Sequence, residues 1–208
     1  MLNARNPMDH QSRRALFVML GIMAFQAWGL IAMLGHASSA QLLNVFAFNS
    51  QSWAGWLVAA SVGLLFVGLT LRSLPYVRER FLDVTPLKIL AIPFALGAGA
   101  VEELLFRRLL MDWLYRNGHS EVVQIATSAI VFGVLHASFG IFSGSWRGII
   151  SPVIWTTFLG LGLAIAYVIA NRDVAPCIWS HAMVDLCIEP WLIIAVMKKA
   201  ENGRSPAR

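Results

Sequence analysis

Six apolar stretches of similar length follow one another along the chain, at approximately 15–34, 53–71, 87–106, 122–141, 149–170 and 175–197, with short polar connectors between them. About 20 apolar residues are enough for a helix to cross a hydrocarbon core about 30 Å thick. The pattern therefore predicts an all-α, polytopic membrane bundle of about six transmembrane helices. The first two stretches carry no charged residue and read as packing or lipid-facing helices. The last four are richer in Gly, Ala, Ser and Thr, as in Gly97-Ala-Gly99-Ala100 and Gly160-Leu-Gly162. Small residues of this kind let helices approach closely in lipid. With no repeat, low-complexity tract or extended polar domain in view, residues 1–208 are expected to form one integral membrane domain, two N-terminal helices (1–84) preceding the rest.

Composition sharpens this picture. Of 208 residues, 58% are hydrophobic and only 13% charged, against about half and a quarter in a soluble domain. A net charge of +5 could suggest nucleic acid, but the basic residues lie between apolar runs and at both ends, where they act as topology signals, and no nucleic-acid partner is expected. With the N-terminus in the cytoplasm, Arg5, Arg13, Arg14, Arg72, Arg78, Arg80, Lys88, Arg147, Lys198, Lys199, Arg204 and Arg208 fall inside, and Arg107, Arg108, Arg116 and Arg172 outside. The excess predicts that both termini are cytoplasmic. Arg13 and Arg14, an apolar run and Ser38-Ser-Ala40 resemble a signal peptide, but the run is longer than a usual leader core, so retention is expected. Cys177 and Cys187 would stand about 15 Å apart along a helix, too far for a disulfide.

Against this apolar background three polar signatures stand out. Ionisable groups in hydrocarbon cost at least a few kcal/mol each and are rare unless they pair or perform chemistry. In Glu102-Glu103-Leu-Leu-Phe-Arg107, Glu103 and Arg107 are spaced i,i+4 and share a helix face, whereas Glu102 is rotated about 100° away. Arg107 could neutralise and orient Glu103 and leave Glu102 as a general base. The competing reading is an ion pair at a helix end near the membrane surface. In Phe132-Gly-Val-Leu-His136 the ring and the imidazole stand one turn apart. Such a histidine accepts a proton, positions a water or binds a metal, unless it is simply hydrogen-bonded in the core. In His181-Ala-Met-Val-Asp185 a carboxylate again faces an imidazole, as a tautomer-fixing pair, a metal-ligand pair or a local bond that hides both from lipid. Taken together, the three suggest one polar site inside a bundle. No His-Glu-x-x-His zinc helix is present, and Ser143-Gly-Ser145 reads as a turn.

Glu-Glu-x-x-x-Arg, Phe-x-x-x-His and His-x-x-x-Asn/Asp on successive membrane helices resemble the CPBP (Abi) family of intramembrane proteases, which includes type II CAAX prenyl endopeptidases and bacteriocin-immunity proteins. The resemblance covers about residues 85–197, the last four helices. It implies that Glu102 and His136 activate a water for attack on a peptide carbonyl, with His181 and Asp185 in the oxyanion-stabilising positions and Glu103, Arg107 and Phe132 supporting them. One departure matters: Asp185 stands where the prenyl endopeptidases carry Asn. An ionised carboxylate cannot donate to an oxyanion, so Asp185 must be protonated, support His181 or bind a metal. The resemblance leaves a divalent metal such as zinc open as a cofactor, with His136, His181 and Asp185 as its expected ligands.

Function follows as an expectation: an intramembrane endopeptidase acting on a peptide or membrane-associated protein substrate and surrounded by membrane lipids. The alternatives are a non-catalytic partner-binding or immunity protein, and a small transporter or proton relay. The compact chain points to a bacterial cytoplasmic membrane. Two difficulties remain at this level. Counted from the expected helix starts, Glu102 lies toward the outer face and His136 toward the inner. Pro190, after Glu189, should kink the last helix, and Glu189 reads as an interfacial or pore-facing carboxylate rather than a catalytic one.

Overall fold

The protein is described from a computed structural model covering residues 10–34, 45–137 and 146–202. Ser38-Ser-Ala40 and Ser143-Gly-Ser145 lie outside these residues. Among the described residues every regular element is helical: α1 (His10–Leu34), α2 (Trp53–Ser73), the short α3 (Pro75–Arg78), α4 (Pro86–Arg116), α5 (Glu121–Leu135), α6 (Trp146–Ile169) and α7 (Ala175–Asn202). Five helices, all but α3 and α5, are long and apolar enough to cross a membrane. The chain is therefore a polytopic helical membrane protein.

Two boundaries differ from those expected. The third span does not stop at residue 106 but runs 31 residues to Arg116. Charged residues that read as a connector stay helical because Leu104–Met111 widens into a π-helix, and Arg107 turns inward while Arg108 stays exposed. Ser128 of α5 donates to the Phe106 carbonyl in this widened stretch. The fourth span is shorter than expected. α5 has 15 residues and ends at Leu135, giving a length of about 22 Å.

These two changes remove the depth difficulty. The 117–120 turn, closed by Gly118 at φ 77°, makes α4 and α5 a hairpin. Glu102 stands fourteen residues before Arg116 and His136 fifteen after Glu121, so both lie about 21–22 Å from the turn.

A polar cluster ties the ends of this hairpin to the α6–α7 turn. Arg172 occupies a left-handed backbone position (φ 65°), which costs energy for a residue with a side chain. It is held there by Asp112 of α4, at 2.8 Å from Nε, and by the Gln124 side chain of α5, at 3.1 Å from both terminal guanidinium nitrogens. Tyr167 donates to the same Asp112 oxygen. Two close approaches set the remaining packing. A Cβ on Gly99 would lie 2.8 Å from the Ile178 carbonyl oxygen, so α4 and α7 meet backbone to backbone beside the polar site. A Cβ on Gly133 would overlap the Thr157 hydroxyl, which brings α5 equally close to α6.

Candidate active site

All seven residues singled out in the sequence meet in one cluster among α4, α5 and α7. Its inner part is built on the α4 carboxylate. Glu103 and Arg107, one turn apart and both fully buried, are paired at 3.0 Å between Oε2 and Nε. The contact is an ion pair without the alignment of a hydrogen bond. Arg107 Nη2 donates to the Gly160 carbonyl of α6 at 2.9 Å. The other Glu103 oxygen, Oε1, accepts from His181 Nδ1 at 2.8 Å, so this carboxylate fixes the imidazole as well.

Phe132, completely buried, is the spacer of the site. Its ring centroid lies 4.5 Å from that of His136 and 5.7 Å from that of His181, with the Arg107 guanidinium 5.1 Å from the ring. Edge-on packing against Phe106, at 5.1 Å, fixes the ring itself. His136 follows the last turn of α5, and its Nδ1 lies 2.8 Å from the Phe132 carbonyl oxygen. A carbonyl only accepts, so Nδ1 carries the proton and Nε2 is turned toward Glu102.

The outer part converges on Glu102. Its Oε2 stands 3.7 Å from His136 Nε2 and 3.9 Å from His181 Nε2, and His181 Nε2 is 3.6 Å from Asp185 Oδ2. These separations exceed direct hydrogen-bond length and suit one bridging molecule. Oε2 has no hydrogen-bond partner among the described residues, although the Glu102 side chain as a whole is 30% exposed. Glu103 and Arg107, by contrast, are 0% exposed.

The geometry does not assemble a metal centre. Among the described residues no three His, Cys, Asp or Glu side chains are grouped so as to hold an ion. Glu102 Oε2 faces the two imidazoles at 3.7 and 3.9 Å and His181 Nε2 faces Asp185 Oδ2 at 3.6 Å, each wider than the about 3.3 Å between ligands of a tetrahedral zinc with bonds of about 2.0–2.1 Å. Within the ligand set expected from sequence, His136, His181 and Asp185, the His181–Asp185 pair is thus wider than two ligands of one zinc as it stands.

Two participants escaped the sequence reading. The Gly160 carbonyl and Ser128 are backbone and hydroxyl partners with no motif of their own. Glu189, one turn beyond Asp185 on α7, places Oε1 in the interior with no hydrogen-bond partner among the described residues. The sequence marked Glu189 as an interfacial or pore-facing carboxylate, and its i,i+4 spacing from Asp185 puts it on the same face of α7.

Residues 85–187 match the family model described as type II CAAX prenyl endopeptidase, Rce1-like. This segment runs from the residue that caps α4 to the second turn after His181, and it contains the whole cluster. No curated protein and no solved structure matches the chain.

Proposed function

Residues 85–187 of this chain belong to the Rce1-like family of type II CAAX prenyl endopeptidases, and from that premise we propose an intramembrane endopeptidase whose nucleophile is a water held by Glu102 and His136. The observation that carries the reading is Glu102 Oε2, an interior acceptor with no donor among the described residues, set between two imidazole nitrogens at 3.7 and 3.9 Å. Water, with two O–H donors, satisfies both Glu102 and His136 Nε2. Glu102 then takes one proton as the water oxygen adds to the peptide carbonyl carbon. The same proton passes to the departing amine nitrogen as the C–N bond breaks.

His181 faces the oxygen of the tetrahedral intermediate. Its Nδ1–H is committed to Glu103, so a proton on Nε2 is the donor available to the oxyanion. Asp185, 3.6 Å from that nitrogen, supports the donor rather than supplying one. This assigns a role to the carboxylate found where Asn is expected. No step runs through a metal. The substrate is a peptide or membrane-associated protein segment that reaches Glu102 from its exposed side, in a bacterial cytoplasmic membrane with both termini cytoplasmic.

The test is cleavage of a quenched peptide library by purified protein in detergent, wild type beside Glu102→Ala. Cleavage by the wild type that disappears in the variant supports the reading. Cleavage that survives in the variant removes Glu102 from the mechanism and transfers the case to a binding protein that keeps the motifs for folding.

A further inference from the structure

Pro190 lies inside α7, one turn and a residue beyond Asp185. Proline has no N–H, so the carbonyl four residues earlier, that of Leu186, loses its helical donor. In an apolar bundle an orphaned carbonyl is costly. The structure supplies a donor from another helix. Lys88, in the first turn of α4, turns its ammonium inward and donates to the Leu186 carbonyl and, at 3.4 Å, to that of Cys187. A lysine at the end of a membrane helix would ordinarily extend toward the headgroups. Here its own backbone is fixed as well, because Lys88 N–H donates to the Thr85 side chain that caps α4, at 3.2 Å.

Leu186 directly follows Asp185, and the His181–Asp185 pair occupies the preceding turn. We propose that Lys88 is a positioning residue: it caps the carbonyl freed by Pro190 and so fixes the turn of α7 that presents Asp185 and His181 to Glu102. The link to catalysis rests on the proteolytic reading; the cap itself does not.

The experiment is a double-mutant cycle on the full chain in detergent, with wild type, Lys88→Met, Pro190→Ala and the double variant. Thermal unfolding midpoints and peptide-cleavage rates are read for each. Alanine at 190 returns an N–H to the Leu186 carbonyl, so the lysine loses its task. Lys88→Met is expected to lower the midpoint and reduce kcat by about tenfold or more, since small misplacements of reacting groups cost rate steeply, with KM little changed. In the Pro190→Ala background the same substitution should move neither quantity, and Lys88→Arg, which keeps a donor, should retain most of the rate. Equal losses in both backgrounds overturn the proposal. A midpoint that couples while kcat falls equally in both also overturns it, because Lys88 then caps without positioning the site. If Lys88→Met yields no folded protein, folding of the double variant supports the cap, and its failure to fold overturns it. Absence of cleavage by the wild type would sink the proteolytic reading, whereas the midpoints would still decide the cap.

Discussion

Glu102 and Glu103 are adjacent in sequence, yet they occupy two regions of the site with opposite character. Glu103 is sealed in, with one oxygen on Arg107 and the other on His181. Glu102 is partly exposed, and its inward oxygen meets two imidazoles at distances too long for direct bonds. The helix geometry alone separates them, since neighbouring residues point about 100° apart. The inner side holds the imidazole of His181 in place. The outer side leaves atoms uncommitted, and a reacting molecule needs uncommitted atoms. A buried, fully engaged carboxylate makes a poor base, and an accessible one makes a poor clamp, so the paired acids divide the two tasks.

The sharpest way to break this comparison is to make the two glutamates isosteric amides in turn. Glu102→Gln removes a base but no structural contact shorter than 3.7 Å. It should cut cleavage by about 10²–10⁴-fold and leave the unfolding midpoint in detergent near that of the wild type. Glu103→Gln should act the other way, lowering the midpoint first, because Arg107 then keeps a buried charge without its counter-ion. Equal stability losses in the two variants would erase the distinction between the two regions.

The next effect is on stability. Arg107→Leu leaves Glu103 as an unpaired buried carboxylate and removes the bond to Gly160. Breaking one partner of a buried ion pair costs about 3–5 kcal/mol, to be read from chemical or thermal unfolding of the purified protein. A smaller loss would mean that water reaches Glu103, contrary to its complete burial.

The site residues were legible because polar groups are conspicuous against apolar segments. Each of the three signatures puts partners one turn apart, and that spacing alone predicted which face Glu103 and Arg107 would share. The boundaries were not legible for the same reason. Arg108, Asp112 and Arg116 look like a connector because the sequence does not show the partners of Asp112, which come from a distant part of the chain. Asp112 is matched by Tyr167 and Arg172, and Arg107 by the Gly160 carbonyl. Once those charges are satisfied, a π-widened helix carries the chain to Arg116, and Glu102 drops to the depth of His136. Lys88 misleads in the same way. As a positive charge near a helix start it counts toward topology, whereas its ammonium is spent on the carbonyls of Leu186 and Cys187. Nothing short of the α4–α7 contact connects a lysine at 88 with a proline at 190.

A chelator bears on the outer region alone. With no three donors grouped to hold an ion among the described residues, cleavage should be unchanged by exhaustive treatment with a strong chelator. Loss of activity that returns on adding zinc would show instead that Glu102, His136, His181 and Asp185 draw together around an ion in the working enzyme.

The smallest effect is expected at Asp185. Its side chain is 15% exposed, and it faces His181 Nε2 at 3.6 Å, beyond direct hydrogen-bond length. Asp185→Asn keeps the shape and exchanges an acceptor oxygen for an amide that can itself donate. If Asp185 only supports the His181 donor, the amide takes over by donating to the oxyanion directly, and cleavage should change little. If the carboxylate acts as a base or ligand, the amide cannot replace it, and the loss should approach that of Glu102→Gln. The ratio of these two losses, measured on one peptide under one condition, therefore tells whether the outer region contains one working carboxylate or two.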